Sequence, residues 1–172
     1  MEKWDIYDKD RNKINMVVNS DETLKDNQYR LVVHVCIFNS DNEMLIQRRH
    51  PSKSLYPDLW DITVSGNVKT NEDTRRAGQR EVLEELGCII DLSDTRTSIT
   101  FNFDQGFDDF YLIKKDLNIA DLTLKTDEVT EVKWAKKYEI IKLIEEDLFV
   151  PYHKSVIELL FFNKDDMKIH TV

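Results

Sequence analysis

The sequence predicts an α/β (α+β) fold, with a mixed β-sheet packed between helices. Three observations predict it. Residues 29–38 are a continuous β-branched and aromatic run, which suits a strand covered on both faces. Residues 73–86 are the strongest helix candidate, bounded by Asp73 as N-cap and Gly87 as the C-terminal glycine. Strand and helix patterns stay intermixed along the chain, which places helices against a sheet. The 172 residues amount to about one domain, so residues 1–172 are read as a single domain. A chain of that length buries close to 70% of its unfolded surface and needs no disulfide or metal to fold.

The elements follow in order. Residues 4–8, the polar stretch 8–12 and residues 13–18 read as strand, turn, strand, so residues 1–28 form an N-terminal β-hairpin extension. Residues 20–28 are polar and irregular. After the strand at 29–38, residues 39–42 are a turn and 43–48 its hairpin partner. Residues 51–58 are a loop, and 59–65 a short strand ending at Gly66. Beyond the helix, residues 88–90, 98–103, 109–114 and 129–135 read as strands. Residues 104–109 are either a mobile flap or a hairpin turn around Gly106. Residues 138–146 and 150–163 are amphipathic helices, the second with Pro151 near its start.

Composition narrows the function. Lys and Arg number 24 against 33 Asp and Glu, a net charge of −9, whereas nucleic acid and anionic membranes call for a basic footprint. Neither is expected as a partner. Cys36 and Cys88 both lie in apolar runs and read as small buried hydrophobes in a reducing compartment. The first ten residues lack the apolar core of a signal peptide, and no apolar run approaches the roughly 18 residues that span a bilayer. A cytoplasmic location is expected.

The chemistry is concentrated in residues 66–88. On a helix each residue advances by about 100°, so with Glu81 at zero, Glu84 falls near −60° and Glu85 near +40°. Three carboxylates then share one face, beside the apolar face of Val82, Leu83 and Leu86. At roughly 7 Å and an effective dielectric near 20, each pair repels by about 2 kcal/mol. A divalent cation removes that repulsion, and hard cations such as Mg²⁺ prefer oxygen ligands. On a fully solvated face the same charges cost only about 0.2–0.5 kcal/mol per pair. The flanking residues decide between the two, because the segment fits G-x5-E-x7-R-E-U-x-E-E-x-G-U throughout, with U apolar and Cys88 in the last place.

This pattern is the Nudix box, and the chain resembles the Nudix hydrolase superfamily. The resemblance implies an α/β/α sandwich and an enzyme that cleaves a diphosphate linkage in a small molecule, a nucleoside diphosphate derivative or related organic diphosphate, using Mg²⁺ or Mn²⁺. It implies Glu84 and Glu85 as principal metal ligands, with Glu81 as a further ligand or as base for the attacking water. Gly66 would turn its carbonyl to the metal, and Arg80 with Glu72 would orient the helix carboxylates. Glu128, on a loop opposite the box, is a second candidate base. A homodimer is common in the family.

Residues 4–8, 32–39, 45–49, Lys53 and 56–62 further resemble the isopentenyl-diphosphate isomerase branch. There, an arginine and a lysine at the positions of Arg49 and Lys53 hold the diphosphate. The isomerase's catalytic points are absent. Ser65 replaces its cysteine, Asn67 replaces its histidine, and residues 23–30 hold no histidine. His34 lies inside a strand and reads as a packed core residue. Hydrolysis is therefore the expected reaction, with isomerisation and a non-catalytic nucleotide-binding module as alternatives. Trp60, Phe101, Phe103, Phe107 and Tyr111 are candidates for the cleft or, more simply, the core.

Overall fold

The structure is a computed structural model and describes residues 1–165. In chain order it has strands β1 (Lys3–Tyr7), β2 (Lys13–Asn19), β3 (Arg30–Phe38), β4 (Met44–Arg49), β5 (Trp60–Asp61) and β6 (Val64–Asn67). Helix α1 (Thr74–Leu86) follows, then β7 (Ile99–Phe103), β8 (Gly106–Lys114), a 3-10 turn at Ile119–Asp121 and β9 (Val129–Ala135). Helices α2 (Lys137–Glu145) and α3 (Lys154–Asn163) complete the described chain.

β3 is the axis of the sheet, as its unbroken apolar sequence requires. β8 runs parallel along one edge, from Arg30↔Gly106 to Phe38↔Lys114, and β7 pairs antiparallel with β8. β6 runs antiparallel along the other edge, from Val32↔Asn67 to Val35↔Val64. Alternation sends Leu31, Val33, Val35 and Ile37 under Ala77, Val82 and Leu86 of α1. It sends Cys36 and Phe38 to the opposite layer, against Ile140 of α2 and Ile157 and Leu160 of α3. The result is helix, mixed sheet, helix. Each fully buried aliphatic side chain contributes about 1.5–3 kcal/mol to that packing. Both cysteines are buried and unpaired. Among the described residues no helix is long and apolar enough to cross a membrane.

Four local expectations are corrected. The hairpin of β3 with β4 lasts for a single pair, Phe38↔Met44. Beyond it β6 takes the edge of β3, and β4 pairs with β9 and β5 instead. Thr63 bridges the opening: the Ile37 amide donates to its hydroxyl (2.9 Å), which in turn donates to the Leu45 carbonyl. The single strand expected at 59–65 is therefore broken at Thr63, and Gly66 lies within β6 rather than after it. Residues 88–90 form no ladder; Cys88 and Ile90 are buried, while Ile89 faces out. Helix α3 starts at Lys154 rather than at 150, because Trp60 bonds the Leu148 carbonyl and Val150 bonds Trp60, which keeps 148–150 extended. Residues 104–109 resolve as the β7–β8 hairpin turn, closed by Phe103↔Gly106.

The ends of α1 follow the sequence. The Asp73 carboxylate accepts from the Arg76 amide (2.9 Å), and Gly87 takes φ 64°, a left-handed conformation that glycine adopts without strain. The β1–β2 hairpin is fastened over the segment that enters α1. Tyr7 and Tyr29 exchange backbone bonds, Thr70 bonds the Lys3 carbonyl, and the buried Asp5 carboxylate accepts from the Asn71 amide. Arg11 from the hairpin turn forks onto the buried Asp109 of β8.

Thr63 is the position that tests this sheet. Thr63→Val should lower stability by on the order of 2 kcal/mol, since it strands a buried amide and a buried carbonyl. Thr63→Ser should retain most of the stability. Urea unfolding midpoints check it; equal midpoints for Val and wild type would show that the two strands part without help.

Candidate active site

Sequence order brings the acidic face of α1 against β6. Glu81 and Glu85 are buried together with Val82 and Leu86, while Glu84 stands partly in solvent. Glu81 needs a glycine opposite it: a Cβ on Gly66 would fall inside the Glu81 carboxyl group. The carboxylates open onto a cleft of about 440 Å³. Its walls carry the glutamates 2, 81, 84, 85 and 128, the lysines 53, 69 and 125, and the strip Ser65, Gly66, Asn67 of β6.

Arg80 ties the wall together. Its Nε and Nη2 fork onto Glu72 (2.7 and 2.9 Å), Nη1 reaches Glu81 (2.6 Å) and Glu84 (3.4 Å), and Nη2 also donates to the Asn67 carbonyl. Burial disfavours the charge on Arg80, yet the Glu72 and Glu81 carboxylates outweigh it and push its pKa upward. For Glu72, burial is outweighed by the Arg80 and Lys69 hydrogen bonds, which lower its pKa. The arrangement has the form of an orienting brace, with a planar fork fixing two carboxylates at once.

The two deepest carboxyls behave oppositely to Glu128. Burial raises Glu81 above the ordinary carboxylate range against the pull of Arg80. Burial pushes Glu85 up to about 8; the Gln47 hydrogen bond opposes the rise, and the Glu81 and Glu128 charges add to it. Glu128 is held down at about 2, because hydrogen bonds from Lys125 (2.6 Å) and Lys53 (2.8 Å) overcome its own burial. The loop that carries Glu128 is placed by backbone bonds from Thr123 to Leu86 and from Lys125 to Glu85.

Whether these residues suit a hard dication can be judged from the donors. All the carboxyl ligands are oxygens, the bare Gly66 lets the Glu81 carboxyl lie against the β6 backbone, and the buried Gln47 Oε1 next to Glu85 has no hydrogen-bond partner among the described residues. Protonation of Glu85 near neutrality relieves a repulsion that a cation would relieve more strongly. As placed, no three His, Cys, Asp or Glu side chains among the described residues converge on one point, since Glu81 and Glu84 are drawn to Arg80 and Glu85 to Gln47. The donor chemistry fits Mg²⁺ or Mn²⁺ once those side chains turn.

Of the residues singled out from sequence, Gly66, Glu81, Glu84, Glu85, Lys53 and Glu128 line one cleft, and Arg80 with Glu72 braces it. Arg49 does not join them. Its guanidinium pairs with the buried Asp61 (3.1 Å) and donates twice to the Leu55 carbonyl, so it pins the loop that carries Lys53. Trp60, Phe107 and Tyr111 are core, and Phe101 is half-buried beside Phe110. Gln47, Lys69 and Lys125 were not singled out. The one available signal was Gln47, a polar residue closing the apolar run Met44, Leu45, Ile46.

Known proteins share this sequence pattern and this fold. Residues 28–160 match the NUDIX domain. The chain is 39% identical over 170 residues to a Nudix hydrolase of Listeria innocua, covering 99% of both chains. It is 30% identical over 90 residues to an isopentenyl-diphosphate Delta-isomerase of Photorhabdus laumondii, covering 52% of this chain and 51% of that one. The crystal structure of DR0079 from Deinococcus radiodurans shares the fold, with a TM-score of 0.74 at 23% identity over 92% of this chain and 97% of that one.

Two measurements probe the site's energetics. Arg49→Ala leaves Asp61 buried without its cation and should destabilise by about 3–5 kcal/mol in urea unfolding. A purely surface arginine would leave the midpoint unmoved. Glu85 titrates near 8 when folded and near 4.5 when unfolded, so its protonated form favours folding below about pH 4.5, and that benefit is lost as pH rises through about 8. In chelator, Glu85→Gln should therefore raise the urea midpoint at pH 9 and change it little at pH 4.5; parallel pH curves for the two proteins would refute the assigned burial cost.

Proposed function

The chain belongs to the Nudix family, and from that premise we propose that it hydrolyses the diphosphate linkage of a nucleoside diphosphate derivative or related organic diphosphate. One observation carries the reading: two carboxyls of α1 are buried side by side at an acidic cleft whose rim carries three lysines. Burying like charges without a counter-ion has no structural benefit, whereas it suits a site that takes up a dication with a phosphate ligand. Glu81, Glu84 and Glu85, with the Gly66 carbonyl, would hold Mg²⁺ or Mn²⁺. Such an ion supplies neutralisation of the phosphate oxygens and acidifies water near neutral pH.

The chain's own groups supply the rest. Lys53 and Lys125 bind Glu128 now, and each ammonium can turn to a phosphate oxygen. Lys69, bridging to Glu2 (3.0 Å), lies within reach of the same charge. As these lysines leave it, Glu128 regains basicity and can accept a proton from water; Glu81, already raised by burial, is the alternative acceptor. Arg80 and Glu72 hold the α1 carboxylates in register, and Arg49 positions the Lys53 loop rather than touching phosphate. The acidic surface and the two buried, unpaired cysteines fit a small-molecule enzyme of the cytoplasm. Isomerisation is disfavoured, because Ser65 is no thiol and Asn67 no histidine.

The test is a panel of nucleoside diphosphates, nucleotide sugars, dinucleotides and prenyl diphosphates with Mg²⁺ and Mn²⁺, reading monophosphate or phosphate release. At least one should turn over only with metal. Glu85→Gln and Glu84→Gln should then lose about 100-fold or more of that rate with unchanged circular dichroism. Isopentenyl diphosphate rearranging by NMR without hydrolysis, or wild-type turnover in Glu85→Gln, would overturn the assignment.

A further inference from the structure

A second constellation lies on the sheet face turned away from α1. Antiparallel pairing sets His34 of β3 directly opposite Ser65 of β6, and parallel pairing sets it opposite Phe110 of β8. Asp108, two residues before Phe110, projects on the same face. Three adjacent strands thus deliver three side chains in line. His34 Nδ1 meets the Ser65 hydroxyl at 2.8 Å, and His34 Nε2 meets the Asp108 carboxylate at 3.0 Å. The imidazole lies flat on the Phe110 ring, 4.3 Å between centroids and 11° between planes, which fixes its orientation.

The roles follow from donor and acceptor chemistry. Asp108 can only accept, so the His34 tautomer that suits this pair carries its proton on Nε2. Nδ1 is then an acceptor, and the Ser65 hydroxyl donates to it. Nucleophile to base, and base to orienting carboxylate, both lie within the 2.6–3.2 Å that activation of a serine needs. His34 is buried at 7% exposure, Asp108 keeps 28% of its side chain in solvent, and Ser65 is half-buried. Two residues along β6, the Asn67 carbonyl oxygen is taken by Arg30, while its amide nitrogen has no partner among the described residues. Arg30 itself is clasped between Trp4 and Phe103, 4.9 and 5.4 Å from their centroids. Register places Asn67 on the same sheet face as Ser65, one strand repeat along β6.

We propose that Asp108, His34 and Ser65 form a metal-independent catalytic triad that cleaves small uncharged carboxylic esters. The surroundings favour an uncharged ester over a diphosphate: this face presents Val32, Phe101 and Phe103, and the three cleft lysines belong to the metal-type site. Ser65 Oγ adds to the ester carbonyl carbon as its proton passes to His34 Nδ1. The carbon–oxygen bond to the alcohol breaks, and the alcohol leaves with that proton. Water then adds to the acyl-serine by the same base, releasing the carboxylic acid and restoring Ser65.

The experiment uses the full chain in excess chelator, which silences metal-dependent hydrolysis and separates the two activities. p-Nitrophenyl acetate serves as substrate, and a fluorophosphonate probe as trap, with the adduct mapped by tandem mass spectrometry. The folded protein should carry one adduct, on Ser65, and release nitrophenolate. Ser65→Ala should lose both. Asp108→Asn, at a partly exposed position that does not threaten folding, should slow both by about 100-fold or more. An unlabelled Ser65, an adduct mapped elsewhere, or labelling unaffected by Asp108→Asn would each overturn the triad, and none of them would touch the diphosphate reading.

Discussion

Everything at the cleft is arranged around the burial of Glu81 and Glu85 against the sheet. Helix α1 must lay Val82 and Leu86 on β3 to form the core, and the helical repeat then carries two glutamates inward with them. Both then sit deep in the wall of the cleft. The molecule answers in three ways. It deletes the side chain opposite Glu81 at Gly66, it spends the whole Arg80 guanidinium on Glu72, Glu81, Glu84 and a carbonyl, and it leaves Glu85 with a single amide donor from Gln47. Glu85 is the one left uncompensated, and its proton stays on near neutrality for that reason.

The charge balance of the cleft points the same way. Five glutamates face three lysines, an excess of two negative charges when all are ionised and of one while Glu85 keeps its proton. A phosphate ligand adds more negative charge, and the lysines that now neutralise Glu128 are mobile cations able to meet it. The acidic wall and the lysine rim are therefore coupled through Glu85 and Glu128, whose charges oppose each other across the opening.

The parts of this arrangement that depend on local periodicity were legible in the sequence. The helix from Thr74 to Leu86, its Asp73 cap, its Gly87 exit and the shared face of three glutamates all follow from spacing within one element. The layering followed from the unbroken apolar strand β3, which has to be covered twice. What escaped were the features set by partners distant in sequence. A turn at 39–42 looks like a hairpin, but only the inserted Thr63 hydroxyl shows why β3 and β4 separate. Pro151 looks like a helix start, yet the bonds between Trp60 and residues 148–150 keep the chain extended there. The triad-like row of Ser65, His34 and Asp108 comes from register across three strands, with no spacing in the chain to announce it.

Arg49 shows how the same residue type at the same place can take a different role. The resemblance to the isomerase branch implies that both Arg49 and Lys53 anchor phosphate, but β4 buries the Arg49 stem and Asp61 captures its head. The guanidinium then grips the Leu55 carbonyl in a loop where Tyr56 and Asp58 both hold positive φ, 49° and 63°. Left-handed backbone at a bulky tyrosine is costly, roughly 1 kcal/mol or more, and persists only when its surroundings fix it. Arg49 at the Leu55 carbonyl and Arg48 at the Asp58 carbonyl and carboxylate hold it, and the loop so held extends Lys53 to Glu128 across the cleft mouth. Removing the charge at Arg49 therefore acts on the cleft at a distance, through the position of Lys53. Leu55 and Tyr56, carried on that loop, are exposed.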